Sequence, residues 1–225
     1  MTEQLWTEVD SYLVDRLVPK DPDLEAALRA SNEAGLPSIN VAPNQGKLLW
    51  LLALATKART VLEIGTLGGY STIWLARALP PGGSLVSLEL DARHAKVAAG
   101  NIDRAGLSGA VEIIVGPAIE SLRTLVTRNG PGYDFIFIDA DKESTTEYFD
   151  LSLQLSHAGS LIVVDNVVRG GRIAHEANGD TSVQGMQRFL DALASERRVS
   201  ATAIQTVGSK GHDGFVLALV TNGAG

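Results

Sequence analysis

The sequence predicts an α/β fold: a doubly wound, mostly parallel sheet of seven strands that ends in a C-terminal antiparallel hairpin and is preceded by N-terminal helices. Three observations carry this. Between Val61 and Val164, five short apolar runs alternate with helical segments, the rhythm of strand-crossover-strand units. Two further β-rich runs, Ala201 to Val207 and Phe215 to Val220, are joined by Gly208-Ser209-Lys210-Gly211-His212-Asp213-Gly214, too short for a crossover helix, so they pair antiparallel. Ahead of Thr60 the apolar residues recur at helical spacing instead.

Leu5, Val9, Tyr12, Leu13 and Leu17 define an amphipathic helix that stops before Pro19. Asp21-Pro22 reads as the N-cap and first-turn pair of a second helix, which closes at Gly35. The loop Leu36 to Pro43 leads into a third helix through Leu48, Leu49, Leu51, Leu52 and Leu54, apolar nearly all round and therefore expected to be buried. Strands follow at Val61 to Ile64, Leu85 to Leu88, Val111 to Val115, Phe135 to Ile138 and Leu161 to Val164. There is no internal repeat, and Thr221 to Gly225 reads as a disordered tail.

A chain of 225 residues with 45% hydrophobic content fills one sizeable core, so we expect a single domain over 1–225, with a helical part at 1–57 and the α/β core at 58–220. The net charge of -7 disfavours nucleic acid and anionic lipid as partners. Without cysteine there are no disulfides, thiolate nucleophiles or zinc-thiolate sites. The start lacks a basic segment followed by an apolar one, and no run approaches the roughly 18 apolar residues of a membrane span, so the protein reads as soluble and cytoplasmic.

The chemistry concentrates at two strand ends. Phe135 to Ile138 runs into Asp139-Ala140-Asp141-Lys142, and Leu161 to Val164 runs into Asp165-Asn166. Two strands of one sheet thereby deliver hard oxygen ligands and a lysine to one edge, a donor set that suits Mg²⁺ with positions left for water or substrate. Singly, Asp139 reads as a helix cap, Asp141-Lys142 as an exposed pair and Asp165-Asn166 as turn residues. Jointly, at the carboxyl ends of strands where open α/β sheets bind ligands, they read as a metal site.

Val61-Leu62-Glu63-Ile64-Gly65-Thr66-Leu67-Gly68-Gly69-Tyr70-Ser71-Thr72 is a strand, a glycine-rich turn and a helix start. Gly65 and Gly69 let the backbone turn tightly and approach a ligand, and Ser71 and Thr72 place hydroxyls and amides at the helix N-terminus, so that the turn would accept a ligand carboxylate. Glu89 ends the next strand, where an acidic side chain accepts both hydroxyls of a ribose, so the ligand reads as an adenosine compound. The dinucleotide fingerprint fails because Leu67 and Tyr70 stand at its second and third glycine positions, and no Tyr-x-x-x-Lys pair is evident, which disfavours a nicotinamide oxidoreductase. A carboxylate at Glu63, at the end of a buried strand, is costly unless paired, and a cationic ligand would supply the partner.

These residues resemble the cation-dependent O-methyltransferases, the group of caffeoyl-CoA and catechol O-methyltransferases, in its bacterial type. The similarity runs from about Val9 to Val220 and is carried by Leu62-Glu63-Ile64-Gly65, Gly69-Tyr70-Ser71, Gly116-Pro117-Ala118, Tyr133 to Lys142, and Asp165-Asn166. The resemblance implies a Rossmann-like class I methyltransferase fold with S-adenosylmethionine as cofactor, held at Val41, Glu63, Gly65, Thr66, Gly69, Ser71, Glu89, Ala118, Asp139 and Asp141. It implies Mg²⁺, or another divalent cation such as Mn²⁺ or Ca²⁺, on Asp139, Asp165 and Asn166, with Lys142 beside Asp139 as the catalytic residues. It also implies a homodimer formed through the N-terminal helices and the sheet edge, to which Leu5, Trp6, Val9 and Leu13 are suited. Where plant members have a Trp-Asn pair, this chain has Arg169-Gly170-Gly171, and the extension that grips an acyl-CoA is short here, which speaks against a CoA-linked acceptor.

The expected reaction is methyl transfer to one hydroxyl of a catechol-type acceptor. A phenol with a pKa of about 10 is mostly protonated at neutral pH, and a divalent metal chelated by two adjacent hydroxyls lowers that pKa and fixes the attack angle. Lys142 then takes the proton or holds the phenolate by charge. A non-catechol acceptor such as a hydroxamate, amine or polyketide phenol is the nearest alternative, and a non-catalytic cofactor-binding module a more distant one. His94, His157, His175 and His212 all read as surface residues, of which only His175 is placed to face a substrate. Trp50 and Trp74 read as core. The acceptor walls are expected from Leu36 to Pro43 and Val167 to Ala177, where Arg169 and Arg172 read equally as residues of the mouth and as solvated loop arginines.

Overall fold

The computed structural model describes residues 2–128, 130–175 and 177–221. Three helices, α1 (Glu3–Leu17), α2 (Pro22–Glu33) and α3 (Pro43–Ala55), precede the strands β1 (Thr60–Ile64), β2 (Ser84–Glu89), β3 (Val111–Val115), β4 (Tyr133–Ile138) and β5 (Ser156–Asp165). Helices α4 (Tyr70–Ala76), α5 (Ala92–Arg104), α6 (Ala118–Thr127) and α7 (Thr145–Gln154) connect those strands in order. Beyond β5 come 3₁₀ turns over Arg169–Ala174, helix α8 (Thr181–Ser195), and the hairpin β6 (Val199–Gly208) and β7 (Gly211–Val220). The sheet has seven strands in the order β3-β2-β1-β4-β5-β7-β6, parallel from β3 to β5 and antiparallel at β7 and β6, as the alternation of runs predicts.

The unbroken apolar runs follow from helices covering both faces. Val61, Phe135, Phe137 and Val163 point to the face packed by α2 to α5, where Leu24, Leu49, Ile73 and Ala98 meet them. Leu62, Ile64, Ile136, Ile138, Ile162 and Val164 point to the opposite face, against Leu122, Tyr148, Phe149, Met186 and Phe189 of α6, α7 and α8. Phe149 and Phe189 meet edge to face at 5.3 Å. The alternation is the two-residue period of a strand, and each such side chain stabilises the fold by about 1.5–3 kcal/mol.

Local signals set several boundaries. Asp21 caps α2 by accepting from the N–H groups of Asp23 and Leu24, with Pro22 in the first turn. Asp91 and Asp180 cap α5 and α8 in the same way. Helix α8 carries its own apolar stripe, Val183, Met186 and Phe189, which the strand and turn motifs around it do not announce.

Three expectations need correction. Helix α3 is not buried all round: Gly46, Leu49 and Ala53 are, but Leu51 and Leu54 are 48% and 42% exposed, because α4 and α1 cover only part of its circumference. The hairpin link is much shorter than seven residues, since pairing continues to Gly208 opposite Gly211 and leaves only Ser209 and Lys210 in the turn. Thr221 is tied to the sheet through its N–H, which donates to the carbonyl of Arg198 at 2.7 Å, while the rest of the expected tail, 222–225, lies outside the described residues.

The hairpin turn is fastened to the opposite end of the chain. Asp10 of α1, only 9% exposed, accepts from the Asn44 side chain at 3.0 Å and from the Ser209 N–H at 2.7 Å. One carboxylate thereby joins α1, α3 and the β6–β7 turn.

Candidate active site

Strand register brings the polar strand ends together. Ile64 lies opposite Leu88 on one side and Ile138 on the other, and Ile138 lies opposite Val164. The next residues, Gly65, Glu89, Asp139 and Asp165, therefore sit side by side along the carboxyl edge. The Asp139 N–H donates to the Ile64 carbonyl at 2.8 Å, and a β-carbon at position 65 would stand 2.1 Å from the Asp139 carbonyl oxygen. With a φ of 101°, Gly65 is required both by conformation and by this close approach.

Glu63 is completely buried, yet it needs no cation to be satisfied, contrary to the sequence expectation. Its carboxylate accepts from the hydroxyls of Ser71 at 2.6 Å, Ser87 at 2.6 Å and Thr72. Burial pushes the Glu63 carboxyl up to about 7, against the three hydroxyls, which pull it down. The hydroxyls at the start of α4 are thus turned inward to Glu63 rather than left free for a ligand carboxylate.

Glu89, 7% exposed, is fixed by backbone donors: Thr66 and Leu67 N–H at 3.2 and 2.7 Å to one oxygen, and Asp91 N–H at 2.9 Å to the other. The glycine-rich turn and the end of β2 are locked together through it. His94 Nδ1 lies 3.6 Å from the same carboxylate.

At the other end of the edge, Lys142 is 8% exposed and donates to Asp139 Oδ1 at 2.8 Å. Asp165, 4% exposed, accepts from the Gln45 side chain at 2.7 Å and from the Asn166 N–H at 2.8 Å. Burial first, and the nearby Asp139 charge second, raise the Asp165 carboxyl above the usual range, while Lys142 and the two amides oppose the shift. Asn166 has a φ of 58°, in the left-handed region that costs a non-glycine residue about 1–3 kcal/mol, a strain characteristic of functional turns. Asp141 accepts from the Tyr148 hydroxyl and, at 3.1 Å, from the Ser144 N–H.

A cavity of about 980 Å³ collects most of the residues singled out in the sequence: Val41, Gly65, Thr66, Ser71, Glu89, Ala118, Asp139, Asp141, Lys142 and Asn166. Three stand apart. Glu63 lies beneath Ser71, Gly69 caps α4 with a φ of 81° behind the wall, and Asp165 opens instead on an adjoining cavity of about 320 Å³, with Asn166 shared between the two. Of the two loops expected to wall an acceptor, residues 36–41 and Arg169 line this cavity, whereas Ala42, Pro43, Val167 and Val168 do not. Arg172 does not line the cavity, because it is paired with Asp180, and His175 is exposed away from it, whereas His94 lines it. Among the described residues no three or more His, Cys, Asp or Glu side chains converge as a metal-holding group, so any cation here relies on two carboxylates and the Asn166 carboxamide.

Sequence reading missed Gln45, Tyr148 and Lys210. Tyr148, in the first turn of α7, reaches back to Asp141 in the loop ahead of that helix, a contact that no helical spacing signals. Gln45 reaches a partner 120 residues away, and Lys210 reaches the Ser38 carbonyl at 3.1 Å across 172 residues, separations that no local pattern encodes.

The family model described as O-methyltransferase matches residues 18–220. A protein of Mycobacterium tuberculosis named catechol O-methyltransferase is 52% identical over 213 residues, covering 95% of each chain. One of the same name from Niastella koreensis is 50% identical over 220 residues, 98% of this chain and 100% of that protein. The crystal structure of the O-methyltransferase from Bacillus cereus, in complex with SAH, superposes with a TM-score of 0.96 at 50% identity, covering 98% of this chain and 100% of that one.

Proposed function

The chain belongs to the O-methyltransferase family, and from that premise we propose that it transfers the methyl group of S-adenosylmethionine to one hydroxyl of a vicinal aromatic diol, with a divalent cation at Asp139, Asp165 and Asn166. The observation that carries the metal-dependent reading is the pair Asp139 and Asp165 at neighbouring strand ends, with Asp165 almost wholly buried and Lys142 committed to Asp139. A buried carboxylate beside an ionised one is costly without a further cation. The donors are hard oxygens, and Asn166 makes no side-chain hydrogen bond among the described residues, so the set fits Mg²⁺ or a similar ion.

The glycine-rich turn and Glu89 would receive the adenosine part of the methyl donor, with Ser71 and Ala118 on the walls, Tyr148 steadying Asp141, and Glu63 beneath as support for the hydroxyls of α4. When bound, the cation would lower the pKa of the hydroxyls it chelates. As the ammonium that pairs with Asp139, Lys142 would hold the developing oxyanion by charge, and only in its neutral form would it take the proton leaving the acceptor hydroxyl. The carbon–sulfur bond of the sulfonium breaks as the oxygen–carbon bond forms, so the sulfonium becomes a neutral thioether, and the acceptor's proton passes to solvent or to the neutral form of Lys142. Burial of Lys142 and Asp165 keeps bulk water from that corner, which strengthens each charge interaction.

The apolar surface of α1 and β6 supports assembly as a homodimer. Leu5, Val9, Tyr12, Leu13 and Leu17 are 40–61% exposed and Ile204 and Val207 are 45% and 47% exposed on the adjoining edge strand. No helix of the described residues is long and apolar enough to cross a membrane.

Methyl transfer from S-adenosylmethionine to catechol, measured with Mg²⁺, with EDTA and with Asp165→Ala, tests the reading. Turnover should vanish on chelation and in the variant. Undiminished turnover in EDTA would overturn the metal-dependent mechanism, and tight cofactor binding without methylation of any catechol would move the acceptor outside the vicinal diols.

A further inference from the structure

The wall of the large cavity contains a guanidinium that meets no acid among the described residues. Arg169 lines that wall three residues after Asn166, in a turn whose geometry is set by Asp213, since the N–H groups of Val168 and Arg169 both donate to Asp213 Oδ1 at 3.0 Å. Its φ of 54° is left-handed, a conformation that a residue with a side chain adopts at a cost. Its Nε is buried with no hydrogen-bond partner, and its guanidinium makes no ion pair among the described residues. Five donors in a fixed fork are matched by a carboxylate.

Among the described residues, the acids of the cavity wall and of the adjoining turns have other partners. Asp213 accepts from three backbone N–H groups, counting Gly214, and Asp180 caps α8 and pairs with Arg172. Glu143 accepts from the Thr181 hydroxyl, Asp139 from Lys142, Asp165 from Gln45 and Asp141 from Tyr148. Lys210, in the two-residue hairpin turn, lines both cavities and spends one of its three donors on the Ser38 carbonyl. Two cationic side chains thus border the acceptor space, on the turn after β5 and on the hairpin that reaches the loop 36–41.

We propose that the acceptor carries a carboxylate in addition to the reacting diol, and that Arg169, assisted by Lys210, forms the subsite that receives it. This rests on the diol-methylating reading above and narrows it to acidic catechols. A charge-assisted, bidentate contact to Arg169 would select such acceptors over neutral ones of the same shape.

The test uses protein saturated with S-adenosylhomocysteine and Mg²⁺, and compares by calorimetry a dihydroxybenzoate with vicinal hydroxyls and its methyl ester. The acid should bind about tenfold more tightly than the ester, a ratio that Arg169→Gln brings near one and Lys210→Gln reduces. Equal binding of acid and ester to the unmodified protein, or a ratio unmoved in both variants, would overturn the proposal, and the first comparison stands even where a variant fails to fold. Turnover of the two compounds is read separately. Preferential binding of the acid without methylation of either would refute the proposed reaction while upholding the anion subsite.

Discussion

Replacing Glu63 by Gln should flatten the pH dependence of stability by an amount that the burial of this carboxylate sets. Its pKa rises from an ordinary 4.5 to about 7 in the folded protein, so folding favours the protonated form. The stability this contributes is complete below pH 4.5 and is lost as pH rises through 7, at ~1.4 kcal/mol per unit, a total of roughly 3 kcal/mol. Glu63→Gln removes the titration but leaves the three hydroxyls of Ser71, Thr72 and Ser87 sharing one carbonyl and facing an NH₂ group, at a cost of about 1–2 kcal/mol. The variant should therefore be the less stable protein at about pH 5 and match or exceed the unmodified one at about pH 8. Asp165 also titrates upward-shifted, but it does so in both proteins and cancels from the difference. Urea unfolding at a series of pH values, with the slope checked for constancy, measures the difference directly. A gap between the two proteins that stays constant across the series would refute the claim that Glu63 is held protonated by its surroundings.

Other perturbations read other parts of the site. A β-carbon at position 185 would stand 2.1 Å from the Lys142 carbonyl oxygen, so Gly185→Ala should cost about 1–3 kcal/mol of stability and lower kcat by moving Lys142, as thermal unfolding and steady-state kinetics would report. Tyr148→Phe removes the hydroxyl donor from Asp141 and should weaken S-adenosylmethionine binding by about tenfold in calorimetry, with the circular dichroism spectrum unchanged. Gln45→Leu takes the amide from Asp165 Oδ2 and, with the cation proposed at Asp165, should raise the Mg²⁺ concentration for half-maximal binding by about tenfold, the range expected when a metal ligand loses its hydrogen-bonding support.

Much of this was legible because a parallel sheet buried on both faces writes its strands as unbroken apolar runs, against which Asp139 and Asp165 stand out as abrupt polar ends. The same contrast identifies Glu63 as a buried acid. What it lacks is the identity of the partners, since Ser71 and Thr72 come from α4 and Ser87 from β2, and only the fold decides that hydroxyls answer the carboxylate. The composition of α3 suggested burial on every side, but burial depends on what the rest of the chain lays over a helix, and Leu51 and Leu54 are left uncovered. The hairpin misled in the other direction. Gly208, Gly211, Asp213 and Gly214 are poor strand formers by propensity, yet pairing with the facing strand carries them into the ladder. Gln45, Lys210 and Asp10 were out of reach because each meets its partner across most of the chain.

The position of β7 has a consequence for how the molecule comes into being. It follows β6 in the chain but lies inside it in the sheet, hydrogen-bonded to β5 with Phe215 opposite Asp165. During vectorial synthesis, β5 must wait with an open edge until residues 211–220 have left the ribosome, while α1, whose Asp10 awaits the Ser209 amide, waits for the same segment. Contacts so distant in sequence slow folding, since the intervening loop must be closed before they return any stability. A nascent chain that stops short of β7 therefore carries the glycine-rich turn and both strand-end aspartates but not the edge that secures Asp165, and methyl-transfer competence arrives only when the hairpin does.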